Sequence, residues 1–475
     1  MLKIYNSLTK EIETFKPIIS GQVKLYSCGP TVYERAHIGN LASFIYVDTL
    51  RRTLETSGYK VKHVMNITDI DDKTIAASKA IYPELPPTEA LSKLTKKYEK
   101  IFLSDLEAVG IDTDKISFVR ATENIESMQT LILKLLDKGF AYQAADGIYF
   151  SINKYRKADK KYGQLVELSV DQTHIARINN DEYDKDEASD FVLWKAQKDH
   201  EPAWDFKLPD GQNLIGRPGW HIECSAMSEK YLHIPFDIHT GGIDLKFPHH
   251  ENEIAQSTAL GSDRLSNIFF HNEHMLVNEQ KMSKSLGNYY HLADITKKGT
   301  DPLAFRLLVL QSHYQKPSNF NWEALEAASN RLKSYRAFAD IRHQPLLEIN
   351  IVSANKNEGF EQTYEGMSSG LVREASENLD TPSLFAFLDS YISRVESTGY
   401  NQKYFQKFLK TIDDLLGLDL SNRPDISSTQ KQFMNEREDA RKNNDWSKAD
   451  ELRKKLSSEG VEINDTPAGS IWYRP

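Results

Sequence analysis

The chain has 475 residues, of which 40% are hydrophobic and 27% are charged, a composition typical of globular proteins with about three domains. No stretch approaches the roughly 20 consecutive apolar residues that cross a bilayer, which excludes a membrane-spanning helix. The net charge of -9 argues against a protein that coats nucleic acid indiscriminately, because such binding depends on Lys and Arg, but it leaves open a local basic surface on one domain.

The N-terminus and the cysteine content indicate a compartment. Residues 1–7 lack the apolar core of an export signal. The chain has two cysteines, too few for a disulfide framework. A cytoplasmic location with reduced thiols is therefore expected.

Strands and helices alternate at the start of the chain. Residues 23–27 form a predicted strand that ends at Cys28, and an amphipathic helix is predicted over about 40–57. A second strand at 61–68 precedes a new helix from about residue 73. This order predicts an α/β fold with a Rossmann-type parallel sheet, whose functional loops lie at the carboxyl ends of the strands.

The pattern changes near residue 113. A helix from Ile125 that closes at Gly139, a hairpin at 142–152 and an exposed acidic loop at 168–190 are predicted. We therefore assign residues 113–210 to a connective insertion that splits the sheet domain.

The sheet pattern resumes after residue 216. A helix at 220–232, a strand at 236–239, a helix that ends at Gly261 and a strand at 268–271 are predicted. A polar loop with two lysines and two serines follows at 280–288.

The rest of the chain is predicted to be mostly helical. Helices are predicted at 302–310, 322–341, 367–378, 382–396 and 403–416, with more helix at 426–457 and a hairpin at 461–473. The predicted domains are the two halves of the sheet domain (1–112 and 211–270), the insertion (113–210), a junction carrying the polar loop (271–320), a helical bundle (321–422) and a small C-terminal domain (423–475).

One short segment has the composition of a metal half-site. Pro248 favours a first helical turn, so His249 and Glu253 fall one turn apart on the same helix face. Cys28 and Cys224 are the thiols that could complete a set suited to zinc. The alternative, that both cysteines are small buried apolar residues, is common for isolated cysteines.

Two further segments suit phosphate chemistry. His37, Gly39 and Asn40 lie at a strand-to-helix junction, where a helix N-terminus would meet a phosphate. Lys281 and Lys284 in the polar loop could neutralise a departing polyphosphate. Each segment alone has an ordinary alternative, a common helix start or a solvated basic loop.

These segments resemble those of a known family. Residues 37–40 and 281–285 are similar to the HIGH and KMSKS signatures of class I aminoacyl-tRNA synthetases. Residues 28–33, 219–227 and 241–253 resemble cysteinyl-tRNA synthetases in particular, and the resemblance extends along essentially the whole chain.

The resemblance implies a zinc site with a defined task. Its ligands would be Cys28, Cys224, His249 and Glu253, with one zinc ion per chain binding the thiolate of the substrate L-cysteine. A metal-bound thiol ionises easily, whereas the hydroxyl of serine does not, so serine would be rejected without editing.

The resemblance also assigns the remaining site residues. Thr68, Trp220, His239 and Asp244 would lie in the cysteine pocket, although Trp220 could equally be a core residue and His239 an ordinary strand-end histidine. ATP, with Mg²⁺, would contact His37, Gly39 and Lys284. The catalytic residues implied are His37, Asn40, Lys281 and Lys284.

For the C-terminal domain the resemblance implies recognition of tRNA(Cys). Arg441, Trp446 and Asp450 match positions that read anticodon bases by hydrogen bonding and stacking. Without the resemblance, a solvated charged helix would be the simpler interpretation. The expected protein is a monomer that uses ATP, L-cysteine and tRNA(Cys) and has no membrane partner.

Two departures from the signature keep alternatives open. Asn40 stands where a second histidine is frequent, and an amide cannot carry a positive charge; Ala42 stands where an arginine is frequent. One alternative is a related ligase that joins cysteine to an amino sugar, although about 190 residues follow Ser285. Another is a catalytically silent protein that binds tRNA or senses zinc.

Overall fold

The computed structural model describes residues 1–167, 177–178, 190–344, 357–398, 402–466 and 469–474. The chain forms two compact units, of which the first comprises residues 1–276, 280–292 and 314–318, and the second residues 277–279, 293–313 and 319–475. Among the described residues, no helix combines the length and the apolar character needed to cross a membrane.

The first unit contains most of the strands. They are β1 (Lys3–Asn6), β2 (Glu11–Thr14), β3 (Gln22–Ser27), β4 (Lys60–Ile67), β5 (Ile116–Arg120), β6 (Ala141–Ala144), β7 (Gly147–Phe150), β8 (Arg177–Ile178), β9 (Asp190–Ala196), β10 (Gly216–Pro218), β11 (Phe236–Gly242) and β12 (Ser266–Asn272). Its helices are α1 (Ile38–Thr56), α2 (Asp72–Ile81), α3 (Pro87–Ala108), α4 (Ile125–Asp137), α5 (Ile152–Lys157), α6 (Trp220–Leu232) and α7 (His249–Ala259).

Short elements occur where the chain passes between the units, and helices dominate the second unit. The short elements are β13 (Met275–Val277), β14 (Gln280–Lys281), α8 (Leu292–Lys297) and β15 (Ser318–Phe320). The second unit then contains α9 (Pro302–Leu310), α10 (Trp322–Asp340), α11 (Asn357–Ser376), α12 (Thr381–Thr398), α13 (Gln402–Leu416), α14 (Ser428–Lys442), α15 (Trp446–Ser458), β16 (Glu462–Thr466) and β17 (Gly469–Tyr473).

The centre of the first unit is a five-stranded parallel sheet with the order β12-β11-β3-β4-β5. Val23, Leu25 and Tyr26 of β3 are all buried, as expected for a strand covered on both faces. The predicted Rossmann-type α/β fold is confirmed.

The insertion forms a sheet of its own. Strands β10, β9, β7 and β6 pair antiparallel in that order, and β8 lies beside β9. Strand β5 lies within the range predicted for the insertion, but it pairs with β4, where Met65 faces Phe118. The parallel sheet therefore extends past residue 113. Apart from residues 177–178 and 190, the loop predicted at 168–190 lies outside the described residues.

The second unit ends in a small helix-and-hairpin core. The predicted helix at 426–457 is two helices, α14 and α15. The break occurs at Asn444, whose φ of 58° is left-handed, and Asp445 then caps α15 by accepting a hydrogen bond from the Lys448 N–H. Strands β16 and β17 form the predicted hairpin, although residues 467–468 lie outside the described part. Ile426, Leu456, Val461, Ile463 and Trp472 pack together in this core.

Candidate active site and metal centre

The carboxyl ends of β3, β4 and β11 define one edge of the parallel sheet. Cys28 follows β3 and donates its N–H to the carbonyl of Thr240 in β11, at 3.2 Å. Thr68 follows β4, and α1 begins after His37. In an open parallel sheet this is the edge where ligands bind.

Two helices bring the remaining candidate ligands to Cys28. Cys224 lies in the second turn of α6, and His249 and Glu253 lie one turn apart on α7. Cys224, His249 and Glu253 are fully buried. The four candidate ligand atoms lie within 4.8 Å of one another, so the fold brings together the residues that the sequence selected.

The spacing of these four atoms matches a tetrahedral zinc site. The two Sγ atoms are 3.8 Å apart, and Cys28 Sγ is also 3.8 Å from Glu253 Oε1. His249 Nε2 lies 3.4 Å from Cys224 Sγ and 3.3 Å from Glu253 Oε1. A tetrahedron with zinc bonds of about 2.0–2.3 Å has edges of about 3.3–3.8 Å. The donor set therefore fits zinc.

Burial controls the protonation of the donors. It lowers the pKa of His249 to about 3, so the imidazole is neutral at pH 7, as a metal ligand must be. Burial also raises the pKa of the Cys28 and Cys224 thiols, which favours the neutral thiols when no cation is present. A bound cation would reverse that preference.

Neighbouring side chains orient the candidate ligands. His221 Nδ1 lies 3.0 Å from His249 Nδ1, and His239 Nε2 lies 2.9 Å from Glu253 Oε2. The Trp220 ring stacks on the His249 ring with centroids 4.1 Å apart and planes 21° apart. Contacts of this kind, made by residues that do not bind the metal themselves, fix the ring of a metal-bound histidine and the free oxygen of a metal-bound carboxylate.

Sequence reasoning missed His250. Its Nε2 lies 3.3 Å from Cys28 Sγ, and its Nδ1 lies 2.8 Å from His271 Nε2. Cys28, His239, His250 and Glu253 form a second possible donor set. The set with two thiols suits zinc better. The two adjacent histidines, His249 and His250, could have indicated from the sequence that His250 is also a possible ligand. Only the fold shows that both rings reach the site.

A cavity of about 330 Å³ opens beside these donors. Cys28, Trp220 and Asp244 line it together with His37 and Asn40. Two residues assigned to the cysteine pocket do not line it: Thr68 donates its hydroxyl to Glu223 at 2.8 Å, and His239 contacts Glu253.

His37 and Asn40 form two reciprocal hydrogen bonds at the start of α1. The Asn40 N–H donates to His37 Nδ1 at 3.2 Å, and the His37 N–H donates to Asn40 Oδ1 at 3.3 Å. Because Nδ1 accepts this bond, the ring proton is assigned to Nε2. Burial lowers the pKa of His37 to about 4, so it is a neutral donor at pH 7. Ala42 is buried in α1 and adds no polar group to the site.

The two signature segments meet in a second cavity of about 260 Å³. His37, Gly39, Asn40, Lys281 and Met282 line it. A Cβ on Gly39 would lie 2.4 Å from Met282 Cε and 2.9 Å from His37 Cε1, so a larger residue there would displace these side chains, whereas glycine allows their close approach. Lys284 does not line this cavity. Its Nζ lies 2.5 Å from Glu34 Oε2.

The candidate anticodon residues lie on the α14–α15 hairpin of the second unit. The Arg441 Nη1 donates to Asp465 Oδ2 at 2.8 Å, and its guanidinium carbon is 5.9 Å from the centre of the Trp446 ring. Trp446 is 57% exposed, and Asp450 is also exposed. An exposed indole beside a guanidinium offers a stacking surface.

Two family models and several known proteins are similar to this chain. A family model described as the class I (C) tRNA synthetase catalytic domain matches residues 14–330, and one described as the cysteinyl-tRNA ligase anticodon binding domain matches residues 423–474. The cysteine–tRNA ligase of Brachyspira hyodysenteriae is 40% identical, with 99% of this chain and 98% of the relative covered. That of Geobacillus thermodenitrificans is 37% identical over 100% of this chain and 99% of its own length.

Solved structures share the fold at low sequence identity. Methionyl-tRNA synthetase of Mycobacterium tuberculosis, in complex with methionyl-adenylate, superposes with a TM-score of 0.57 at 13% identity and covers 84% of this chain and 92% of its own. LeuRS of Agrobacterium radiobacter, in a complex with tRNA, gives 0.58 at 11% identity with coverage of 86% and 85%. At these identities the likeness concerns the fold alone.

Proposed function

The chain belongs to the cysteinyl-tRNA synthetase family, and from this membership we propose how its site selects and activates cysteine. The reaction is ATP-dependent activation of L-cysteine to cysteinyl-adenylate, followed by transfer to the terminal ribose of tRNA(Cys). The observation that carries the proposal is the tetrahedral spacing of Cys28, Cys224, His249 and Glu253.

In this proposal the four residues hold one zinc ion. Zinc held there would favour the ionised form of a thiol that reaches it, which separates cysteine from serine without a second editing site. Cys28 lies on the cavity wall, whereas the other three ligands are buried behind it. A small substrate in the 330 Å³ cavity therefore has a direct approach to the site.

Trp220 and Asp244 are proposed to hold the amino acid. Trp220 keeps the His249 ring in place by stacking and forms part of the cavity wall, while the Asp244 carboxylate lies in both cavities, where it can attract the substrate ammonium. Thr68 and His239 would act indirectly, through Glu223 and Glu253 respectively.

The second cavity is proposed to receive ATP with Mg²⁺. His37 presents Nε2–H as a neutral donor, Gly39 permits close approach, and the backbone N–H of Asn40 holds the His37 ring in that orientation. Lys281 and Lys284 would neutralise the charge of the departing pyrophosphate. Donors positioned in advance stabilise developing charge at little reorganisation cost.

Recognition of tRNA(Cys) is proposed for Arg441, Trp446 and Asp450. The match to an anticodon binding domain at residues 423–474 supports this role and argues against the amino-sugar ligase, which lacks such a tail. We further propose that the protein acts as a monomer in the cytoplasm.

Metal analysis of three variants tests the zinc proposal. We expect about one zinc per chain in the unmodified protein, with loss of zinc in Cys224→Ser and His249→Ala. The matched control is His250→Gln, which belongs only to the second donor set and should retain zinc. Circular dichroism checks that each variant is folded.

Cysteine-dependent exchange of pyrophosphate into ATP is measured on the same samples. Exchange should fall with zinc content in Cys224→Ser and His249→Ala. The site assignment fails if the unmodified protein holds no zinc, or if His250→Gln loses the metal while Cys224→Ser keeps it. Absence of exchange in the unmodified protein would instead contradict the activity.

A further inference from the structure

The Lys284 ammonium of the second signature is held by a carboxylate. Its Nζ lies 2.5 Å from Glu34 Oε2, and it stands 5.3 Å from the centre of the Tyr289 ring. The Tyr289 hydroxyl donates to the other carboxylate oxygen, Oε1, at 3.2 Å. Glu34 therefore bonds both ends of one segment, residues 284–289.

Glu34 is ionised in this arrangement. Its side chain is 26% exposed. Burial opposes ionisation, but hydrogen bonds from Lys284 and Tyr33 outweigh it and lower the pKa of the Glu34 carboxyl. A carboxylate and an ammonium at this distance attract each other at neutral pH.

The rest of the loop is anchored without Glu34. The Ile38 N–H donates to the carbonyl of Tyr290, and the Tyr289 ring packs edge-on against His37 at 5.0 Å. Asn288 closes the base of the loop, because its Oδ1 accepts from the Ser283 N–H and its Nδ2 donates to the Lys281 carbonyl. What the Glu34 contact adds is a restraint on Lys284 at the tip.

This restraint conflicts with the role proposed for Lys284. Lys281 lines the same cavity as His37 and Asn40, whereas Lys284 does not. The Lys284 side chain is 62% exposed, and an ion pair this accessible is weak enough to be exchanged. Phosphate oxygens offer an ammonium the same kind of acceptor with more charge.

We propose that Glu34, supported by the Tyr289 hydroxyl, is a positioning residue that latches Lys284 in the absence of ATP, and that the triphosphate of ATP competes with Glu34 for the ammonium. The latch lowers the apparent affinity for ATP, because the contact with Glu34 must break first. This inference rests on the proposed function, since it assumes that Lys284 meets ATP.

The first test needs no substrate. Limited trypsin digestion of the full chain without ATP measures the rate of cleavage after Lys284, read from fragment masses. Glu34→Gln should speed this cleavage about two- to fivefold, the range of a surface ion pair. Tyr289→Phe keeps the charge at Glu34 but removes the supporting hydroxyl, and should act in the same direction with a smaller effect.

A matched control separates the latch from a general change of charge. Glu279→Gln removes an exposed carboxylate two residues before Lys281 and should leave the cleavage rate unchanged. Equal rates in Glu34→Gln and the unmodified protein overturn the proposal. So does an equal acceleration by Glu279→Gln, because the effect would then be one of net charge.

The second test is the ATP dependence of pyrophosphate exchange. Glu34→Gln should lower KM for ATP about two- to fivefold with kcat unchanged, while Glu279→Gln leaves both unchanged. A raised KM in Glu34→Gln contradicts the latch, since Glu34 would then assist ATP binding. If the unmodified protein shows no exchange, the proposed function fails, and the digestion result still decides whether the contact with Glu34 restrains Lys284.

Discussion

At the scale of single residues, His37 and Asn40 form one functional group. From the sequence, the amide of Asn40 cannot carry the positive charge that a histidine could. In the structure His37 is also neutral, since burial lowers its pKa to about 4, so both side chains act as neutral hydrogen-bonding groups. The Asn40 side chain in addition accepts a hydrogen bond from the His37 backbone N–H, whereas the His37 ring is held by the backbone N–H of Asn40, so part of the side chain's contribution is indirect.

The loss of activity caused by substitution should therefore differ between the two positions. We expect His37→Ala to lower kcat for pyrophosphate exchange by about 10²–10³-fold, as for removal of a donor to developing charge. Asn40→Ala should cost about tenfold, a smaller loss because it removes only the acceptor of the His37 backbone N–H, while the backbone N–H of residue 40 still holds the His37 ring.

Asn40→Asp separates the two roles of that residue. It keeps an oxygen for the His37 N–H but replaces the amide donor with a carboxylate that repels phosphate. Thermal stability should match that of the unmodified protein while exchange remains impaired. Full activity of Asn40→Asp would show that the amide donor is not used.

At the scale of elements, helix α7 does more than carry His249 and Glu253. Glu251 belongs to neither candidate donor set and accepts hydrogen bonds from the backbone N–H groups of Gly163, Gln164 and Leu165 at 2.7–2.9 Å. The Tyr162 hydroxyl donates to Asn252 Oδ1 at 2.5 Å. The segment that follows α5 is thereby fastened to the helix that supplies two candidate ligands.

Removal of this carboxylate should loosen both segments. Glu251→Ala leaves three backbone donors without their acceptor, so we expect a loss of about 3 kcal/mol in the free energy of unfolding. Zinc should also dissociate faster because α7 is less well held. Urea titration and release of zinc to a chelator measure the two effects.

Glu229→Ala on α6 is the control for this prediction. The Glu229 side chain is 39% exposed and forms a surface ion pair with Lys134 at 3.2 Å, so its loss should cost no more than about 1 kcal/mol. Equal destabilisation by the two variants would mean that Glu251 is not an anchor.

At the scale of the whole molecule, the two units carry different proposed tasks. The residues proposed for activation, from Cys28 to Lys284, belong to the first unit, and those proposed for the anticodon belong to the second. Pyrophosphate exchange requires only cysteine, ATP and the first group of residues. Activation and tRNA recognition should therefore be separable by mutation.

Trp446→Ala tests that separation. Loss of one base-stacking surface should raise KM for tRNA(Cys) about tenfold or more in aminoacylation, while pyrophosphate exchange stays at the level of the unmodified protein. Glu451→Ala, an exposed substitution on the same helix, should change neither. A fall in exchange with Trp446→Ala would show that the two tasks are coupled.

Local patterns in the sequence determined many of the elements. Helices α6 and α9 were predicted with the bounds that the structure has, because their starts and their apolar spacing are local signals. The order of strands and helices also predicted the parallel sheet. By contrast, the 22-residue helix α3, the β1–β2 hairpin and the pairing of β5 with β4 were not predicted.

The sequence also selected the four candidate zinc ligands, because thiols are scarce and His249 and Glu253 share a helix face. Only the tertiary structure decided what surrounds them. His221, His239 and His250 reach the site across several elements, and Cys28 meets Cys224 across 196 positions of the chain. The contact of Lys284 with Glu34 joins residues 250 positions apart. Periodicity reports which face of an element is buried, but it carries no information on which distant side chain meets that face.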